Sequence, residues 1–244
     1  MKDSEPFSNL RNSQQVTAHL LTLGSEEMAV QSRRFFKTGE GEYAETEQFI
    51  GVRVPVLRKL AKQLQNISLP ETSHLLESPY HEARHLALFM LVNRYQRGGS
   101  DERTQIFETY LAHTSYINNW DLVDASAYRI LGPHLYRGDR TLLFDFAQSE
   151  NMWERRIAII STLYFIKQND YGDTFRLAEM LITDPEDLIH KAAGWMLREV
   201  GKRDKPSLDE FLKFHHRRMP RTMLRYAIEK HPEDQRQGYL KGLV

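Results

Sequence analysis

The residues His81-Glu82-Ala83-Arg84-His85 spell the H-E-x-x-H pattern, which on a helix presents two imidazoles to a zinc ion with the glutamate as base. A catalytic zinc needs a third protein ligand and an open cleft, and no downstream Glu or His stands out in a helical context to supply one. The sequence therefore predicts no metal here, because Ala83, Leu86, Ala87 and Met90 already account for the stretch as a core-facing helix. A second constellation has more suggestive spacing. Trp120 and Asp124 are four apart and share a helix face, so a carboxylate stands beside an indole. Such a pair can stabilise a developing positive charge. Each residue also has a plainer account: a helical Trp is usually core, Asp121 near a helix start reads as a cap, and a helical Arg is usually solvated or salt-bridged.

Composition removes several other chemistries. The 244 residues include no cysteine, which excludes disulfides, thiolate zinc sites, iron–sulfur clusters and a cysteine nucleophile. No Gly-rich phosphate loop, serine elbow or dinucleotide fingerprint is present. The N-terminus lacks an apolar signal region and no segment is apolar enough to span a membrane, so a cytoplasmic protein is expected. Net charge is zero, with 33 basic and 33 acidic residues, so only its distribution can matter. Met1 to Ile50 holds 5 Lys/Arg against 8 Asp/Glu, whereas His190 to Arg225 holds 10 against 4. The C-terminal third can present a basic face.

The elements that must position these residues are helices. Apolar residues recur at three-and-four spacing along nearly every long segment, and the one short alternating run is Phe49 to Val54. Helices are predicted from about Pro55 to Gln65, His81 to Tyr95, Glu102 to Ala112, Trp120 to Ile130, Thr141 to Ala147 and Asn151 to Gln168. Further ones follow from Asp173 to Leu181, Pro185 to Val200, Ser207 to His215, Pro220 to Glu229 and Pro232 to Leu240. Pro55, Pro185, Pro220 and Pro232 mark helix starts, Asp184 reads as an N-cap, and Ser207 to Glu210 has capping-box spacing. Gly24, Gly132 and Gly201 sit near expected helix ends. Pairs of such helices every 35 to 45 residues have the rhythm of a HEAT-like repeat superhelix, an all-α solenoid. Residues 1–12 read as a flexible tail, 13–244 as a single HEAT-like domain, and Thr38 to Gln48 as a surface loop.

Three stretches carry a family resemblance. Asn119-Trp120-Asp121-Leu122-Val123-Asp124, Trp153 to Ala158 (WERRIA) and Gly194 to Glu199 (GWMLRE) resemble, in order and spacing, the signature helices of AlkD-type DNA alkylation repair proteins; FIGVRVPVLRKLAK and MPRTMLRYAIEK look like further stretches of that family. The resemblance covers about residues 25 to 230. It implies stacked antiparallel helix pairs forming a C-shaped body whose concave basic face grips duplex DNA. It implies a monofunctional glycosylase that releases cationic N3- and N7-alkylated purines without base flipping, leaves an abasic site, and uses no metal or cofactor; a monomer is the expectation for a protein that wraps its ligand in one concave groove. Asp124 matches the family's essential carboxylate, Arg156 its essential arginine, and Trp120 and Trp195 the aromatic walls of its site.

An alkylated purine is already cationic and leaves without a general acid, so the demand falls on charge developing at the deoxyribose. Asp124 would stabilise that charge and position water, a role worth about 3 to 4 kcal/mol. Trp120 and Trp195 would clasp sugar and backbone, at about 0.5 to 2 kcal/mol each. Arg156 would hold phosphate through its planar fork. Arg155, Arg198, Lys202, Arg203, Arg217, Arg218 and Arg221 are candidates for further phosphate contacts. Two features depart from the family pattern: Gln31 falls about where the family's characterised enzyme has a tyrosine, and Thr38 to Gln48 is an insertion. A non-catalytic HEAT-repeat scaffold of the same family is the competing expectation.

Overall fold

A computed structural model of the chain describes residues 10–243. The expected tail over 1–12 lies, up to residue 9, outside the described residues. Asn12 caps the first helix, its carboxamide oxygen accepting from the Gln15 N–H at 2.9 Å. Fourteen α-helices follow among the described residues: α1 (Ser13–Leu23), α2 (Glu26–Phe35), α3 (Val54–Gln63), α4 (Leu69–Leu76), α5 (His81–Arg97), α6 (Ser100–Ala112), α7 (Trp120–Tyr136), α8 (Thr141–Ala147), α9 (Met152–Lys167), α10 (Gly172–Met180), α11 (Asp187–Gly201), α12 (Lys205–His215), α13 (Arg221–Ala227) and α14 (Glu233–Lys241). The described residues contain no β-strand, and one isolated bridge joins Gln48 to Tyr80.

The chain divides into two compact units, and the division, between Ser126 and Ala127, falls within α7. In the first unit α5 is the central helix, packed by α3, α4 and α6, while α1 lies on α4 and α5. Its residues from His81 to Val92 are all buried, which is why an apolar stripe runs almost right round it. In the second unit α9, α11 and α13 are successive neighbours, α8 and α10 pack on α9, and α12 packs on α11. Alternate helices thus stack on one another, as the rhythm of an α-solenoid requires. α9 is buried nearly all round, with Ile157, Ile160, Phe165 and Ile166 completely covered; each such side chain contributes about 1.5 to 3 kcal/mol.

Two glycines permit this close stacking. A Cβ at Gly132 would lie 2.6 Å from Tyr164 Cβ, and one at Gly194 would lie 2.5 Å from the Met223 carbonyl oxygen and 2.6 Å from Tyr226 Cβ. Gly132, expected near a helix end, is therefore interior to α7, kept small by α9. In an exposed helix Gly→Ala stabilises by about 1 kcal/mol. At Gly194 the obstacle is backbone and cannot swing away, so Gly194→Ala should instead destabilise by about 1 to 3 kcal/mol, read as a lowered urea midpoint.

Several local expectations are corrected. Phe49 to Val54 forms no strand: Val54 opens α3, Gly51 turns at φ 87°, and the Ile50, Gly51 and Val52 N–H groups are taken by the Glu82 carboxylate. α12 begins earlier than the Ser207 capping box, at Lys205, with Asp204 accepting from the Ser207 N–H at 3.1 Å. α11 begins at Asp187, so Asp184 is not its N-cap; the Asp184 carboxylate takes the Glu186 N–H at 2.9 Å and pairs with Arg155. The loop from 38 to 48 is not wholly superficial: Ala44 and Glu47 are buried.

Candidate functional site

In the first unit the opening turns of α5 and α7 meet in a buried polar cluster. Asn119, fully buried, accepts the Trp120 N–H at 2.8 Å and so fixes where α7 starts. Asp121 then points back at α5. Its Oδ2 lies 2.9 Å from His81 Nε2 and 3.3 Å from His85 Nδ1, while Oδ1 is buried with no hydrogen-bond partner. On its other side His81 Nδ1 lies 3.1 Å from Glu47 Oε2, and Arg84 Nη2 donates to both Glu47 oxygens at 2.6 Å. Asp121, read from the sequence as a cap, thus stands with His81 and His85 as a third donor, an aspartate that the search for a downstream Glu or His did not reach.

The electrostatics follow from this enclosure. Burial pulls the His81 imidazole down, but the Asp121 and Glu47 carboxylates outweigh it and push it up to about 9. Burial raises Asp121, yet His81 and His85 hold it well below the usual carboxylate range. Glu47 is likewise held low against its burial, by His81 and Arg84. Glu82 has a different employment. It is buried and accepts from Ile50 N–H at 2.9 Å, Gly51 N–H at 2.8 Å and Val52 N–H at 3.3 Å. Such an anchored carboxylate holds a loop and is not placed to act as a base.

Trp120 and Asp124 both lie on α7, one turn apart and half-buried. The indole stacks on Phe36 at 5.4 Å between centroids and meets Phe35 edge-on at 5.8 Å. Phe36 continues the stack onto Phe49 at 5.2 Å. Phe35 is 65% exposed, so an aromatic edge beside Trp120 faces solvent. Gln31, which stands about where the family has a tyrosine, is exposed on α2, and the same helix brings Phe35 and Phe36 to the indole. Sequence reading missed these rings because they come at the end of α2, whose apolar pattern is weak. Asp124 also acts on its neighbours: the Tyr110 phenol is pushed up by burial and further by the Asp124 charge, against a hydrogen bond with Ser126.

In the second unit the remaining candidates take varied places. Arg156, buried on α9, donates from Nη1 to the Leu188 carbonyl of α11 at 2.6 Å. Arg155 turns its fork onto Asp184, at 2.6 and 3.3 Å, and onto the Ser149 and Glu150 carbonyls. Trp195 is half-buried, with its Nε1–H on Glu199 Oε1 at 3.0 Å. Lys202 reaches the same oxygen at 2.6 Å, Arg198 pairs with Glu229, and Arg221 donates to the Leu240 carbonyl. Arg203, Arg217 and Arg218 are exposed.

Arg203, just past the end of α11 and already a candidate from the sequence, is joined by two cations that sequence reading did not identify, Arg129 on α7 and Lys167 on α9. Burial lowers the Lys167 ammonium, and the charges of Arg129 and Arg203 lower it further, against Glu199. Its Nζ sits 4.6 Å over the Tyr128 ring. No linear motif joins residues 129, 167 and 203, so only the fold could bring them together. Crowded like charges of this kind are relieved by an anion.

The family model for the DNA alkylation repair enzymes matches residues 16–231 of the chain. Among solved structures, the predicted DNA alkylation repair enzyme from Enterococcus faecalis superposes with a TM-score of 0.67 at 20% identity, over 86% of this chain and 97% of that one. The smu.31 protein of Streptococcus mutans UA159 superposes with a TM-score of 0.51 at 16% identity, over 91% and 98%. At such identities the likeness shows a shared all-helical fold. No curated protein matches the chain.

Proposed function

This chain belongs to the DNA alkylation repair enzyme family, and we propose that within it the protein is a monofunctional DNA glycosylase that releases cationic N3- and N7-alkylated purines from duplex DNA. The observation that carries this reading is the Trp120 and Asp124 pair, one turn apart on α7 and half-buried, with solvent-facing Phe35 against the indole. The substrate base carries its positive charge before the reaction begins. As the N-glycosidic bond breaks, the purine takes the bonding electron pair and leaves neutral, so charge moves to the sugar.

A carboxylate beside that sugar lowers the barrier by electrostatic attraction and aligns the attacking water. Water adds at C1′ and yields its proton to Asp124 or solvent, leaving an abasic site. Trp120 and the exposed Phe35 offer aromatic surface to a cationic sugar, with Phe36 stacked behind the indole, and the base need not enter a closed pocket. The chemistry is assigned to Asp124 and water and not to a lysine amine, so it includes no strand-cleaving lyase step.

The second unit is assigned the backbone. Exposed Arg203, Arg217 and Arg218, with Arg129 and Lys167, would hold phosphates without reading bases. Arg156 acts as a positioning residue, tying α9 to α11, the helix that carries Trp195. Charge reversal at Arg217 and Arg218 together should weaken duplex binding and make log K fall less steeply with log salt, by about 0.9 for each phosphate no longer neutralised. An unchanged slope removes both from the interface. The activity itself is tested on a duplex with one N7-methylguanine, where free base and an alkali-labile site should appear only in the modified strand.

A further inference from the structure

We propose that His81, His85 and Asp121 form a binding site for a divalent transition metal of the zinc class. One ligand atom from each residue lies within 4.8 Å of the other two. Two of the separations are 2.9 Å, from His81 Nε2 to Asp121 Oδ2, and 3.3 Å, from His85 Nδ1 to the same oxygen. Both lie at or just inside a tetrahedral edge of about 3.3 Å, which follows from metal–ligand bonds of about 2.0 to 2.1 Å. The donor set of two imidazoles and a carboxylate suits zinc and its neighbours.

Two further observations point to a ligand. First, His81 carries the outer support that metal-bound histidines have: its Nδ1 faces Glu47, itself gripped by Arg84, so with Nδ1–H donating to Glu47 the Nε2 lone pair faces Asp121. Second, Asp121 Oδ1 is buried with no hydrogen-bond partner. A proton shared between His81 and Asp121 leaves that oxygen unanswered, whereas a cation attracts both oxygens. A cavity of about 120 Å³, lined in part by Phe36, Phe49, His81, His85 and Asp121, gives room for water at a fourth position. Two ligands come from one face of α5, and the third comes from the first turn of α7, 40 residues beyond His81. The metal would therefore brace the turn that carries Trp120 against α5. Glu82, committed to three backbone N–H groups, is not available as the base of a zinc peptidase, so no hydrolase reaction is assigned to the site.

The test uses tag-free full-length protein, stripped with a chelator and titrated with cobalt(II). One equivalent should bind with the strong visible bands of a four- or five-coordinate ion, and zinc should bleach them. Glu47→Gln, which leaves all three ligands in place, should weaken binding by about 10- to 100-fold. A His85→Gln, Asp121→Asn protein, shown by circular dichroism to be folded, should give no such bands. Wild-type protein that shows only the pale spectrum of hydrated cobalt overturns the proposal without reference to any variant. Undiminished binding by the folded double variant overturns it equally.

Discussion

Asp124→Asn should slow release of N7-methylguanine from duplex DNA by roughly two to three orders of magnitude under single-turnover conditions, with duplex affinity and thermal melting little changed. The substitution preserves shape, removes the charge and replaces one acceptor oxygen with a donor, so it takes away the electrostatic attraction together with the alignment of water. Asp124 is half-buried on α7, one turn from Trp120, where water is partly excluded and a carboxylate acts more strongly than it would in bulk solvent. Its attraction grows as the base departs and the sugar becomes cationic. The loss should therefore appear in the rate of the chemical step and not in binding. A variant with the wild-type single-turnover rate would remove Asp124 from the mechanism.

Glu82→Gln should destabilise the fold by about 3 kcal/mol without a direct effect on the chemistry. The buried carboxylate accepts three backbone N–H groups, two at 2.8 and 2.9 Å. An amide offers one oxygen and replaces the other with a donor, so at least one N–H is left facing a second donor. Each buried group stranded in this way costs about 1 to 3 kcal/mol, and bonds to a charged acceptor are the stronger ones. The segment has little freedom to rearrange. Gly51 sits at φ 87°, where a Cβ would fall 2.0 Å from the Ser25 carbonyl oxygen. Urea denaturation with an unchanged m-value is the measurement. An unshifted midpoint would mean that Glu82 does not anchor this segment.

The long helices are legible in the sequence because each buries a continuous apolar face. α5, α7, α9 and α11 fall within a few residues of their expected spans, apart from the extension of α7 beyond Ile130 to Tyr136. α1, α2 and α4 do not stand out in the same way. They are short, and α1 and α2 bury only Val16 and Leu20, and Ala29, so little periodicity marks them. Caps slip where competent residues stand close together, as Asp204 and Ser207 do at the start of α12.

Trp120 and Asp124 can be placed together because helical spacing alone brings them to one face. The cluster at His81 cannot be completed in the same way. Nothing along the chain announces that the start of α7 packs on α5, or that Glu47, in a Gly- and Glu-rich loop, is buried against Arg84. Arg155 shows the converse limit. In sequence it is a candidate for a phosphate contact, and in the fold its fork lies on Asp184.

The most direct measurement is release of N7-methylguanine from methylated duplex DNA by wild-type protein beside Asp124→Asn, with duplex binding recorded for both. Release by the wild type, and a rate lowered by roughly two or more orders of magnitude in the variant, is the expected result. Duplex binding by the wild type with no base released would contradict the glycosylase assignment and leave a DNA-binding helical scaffold in its place.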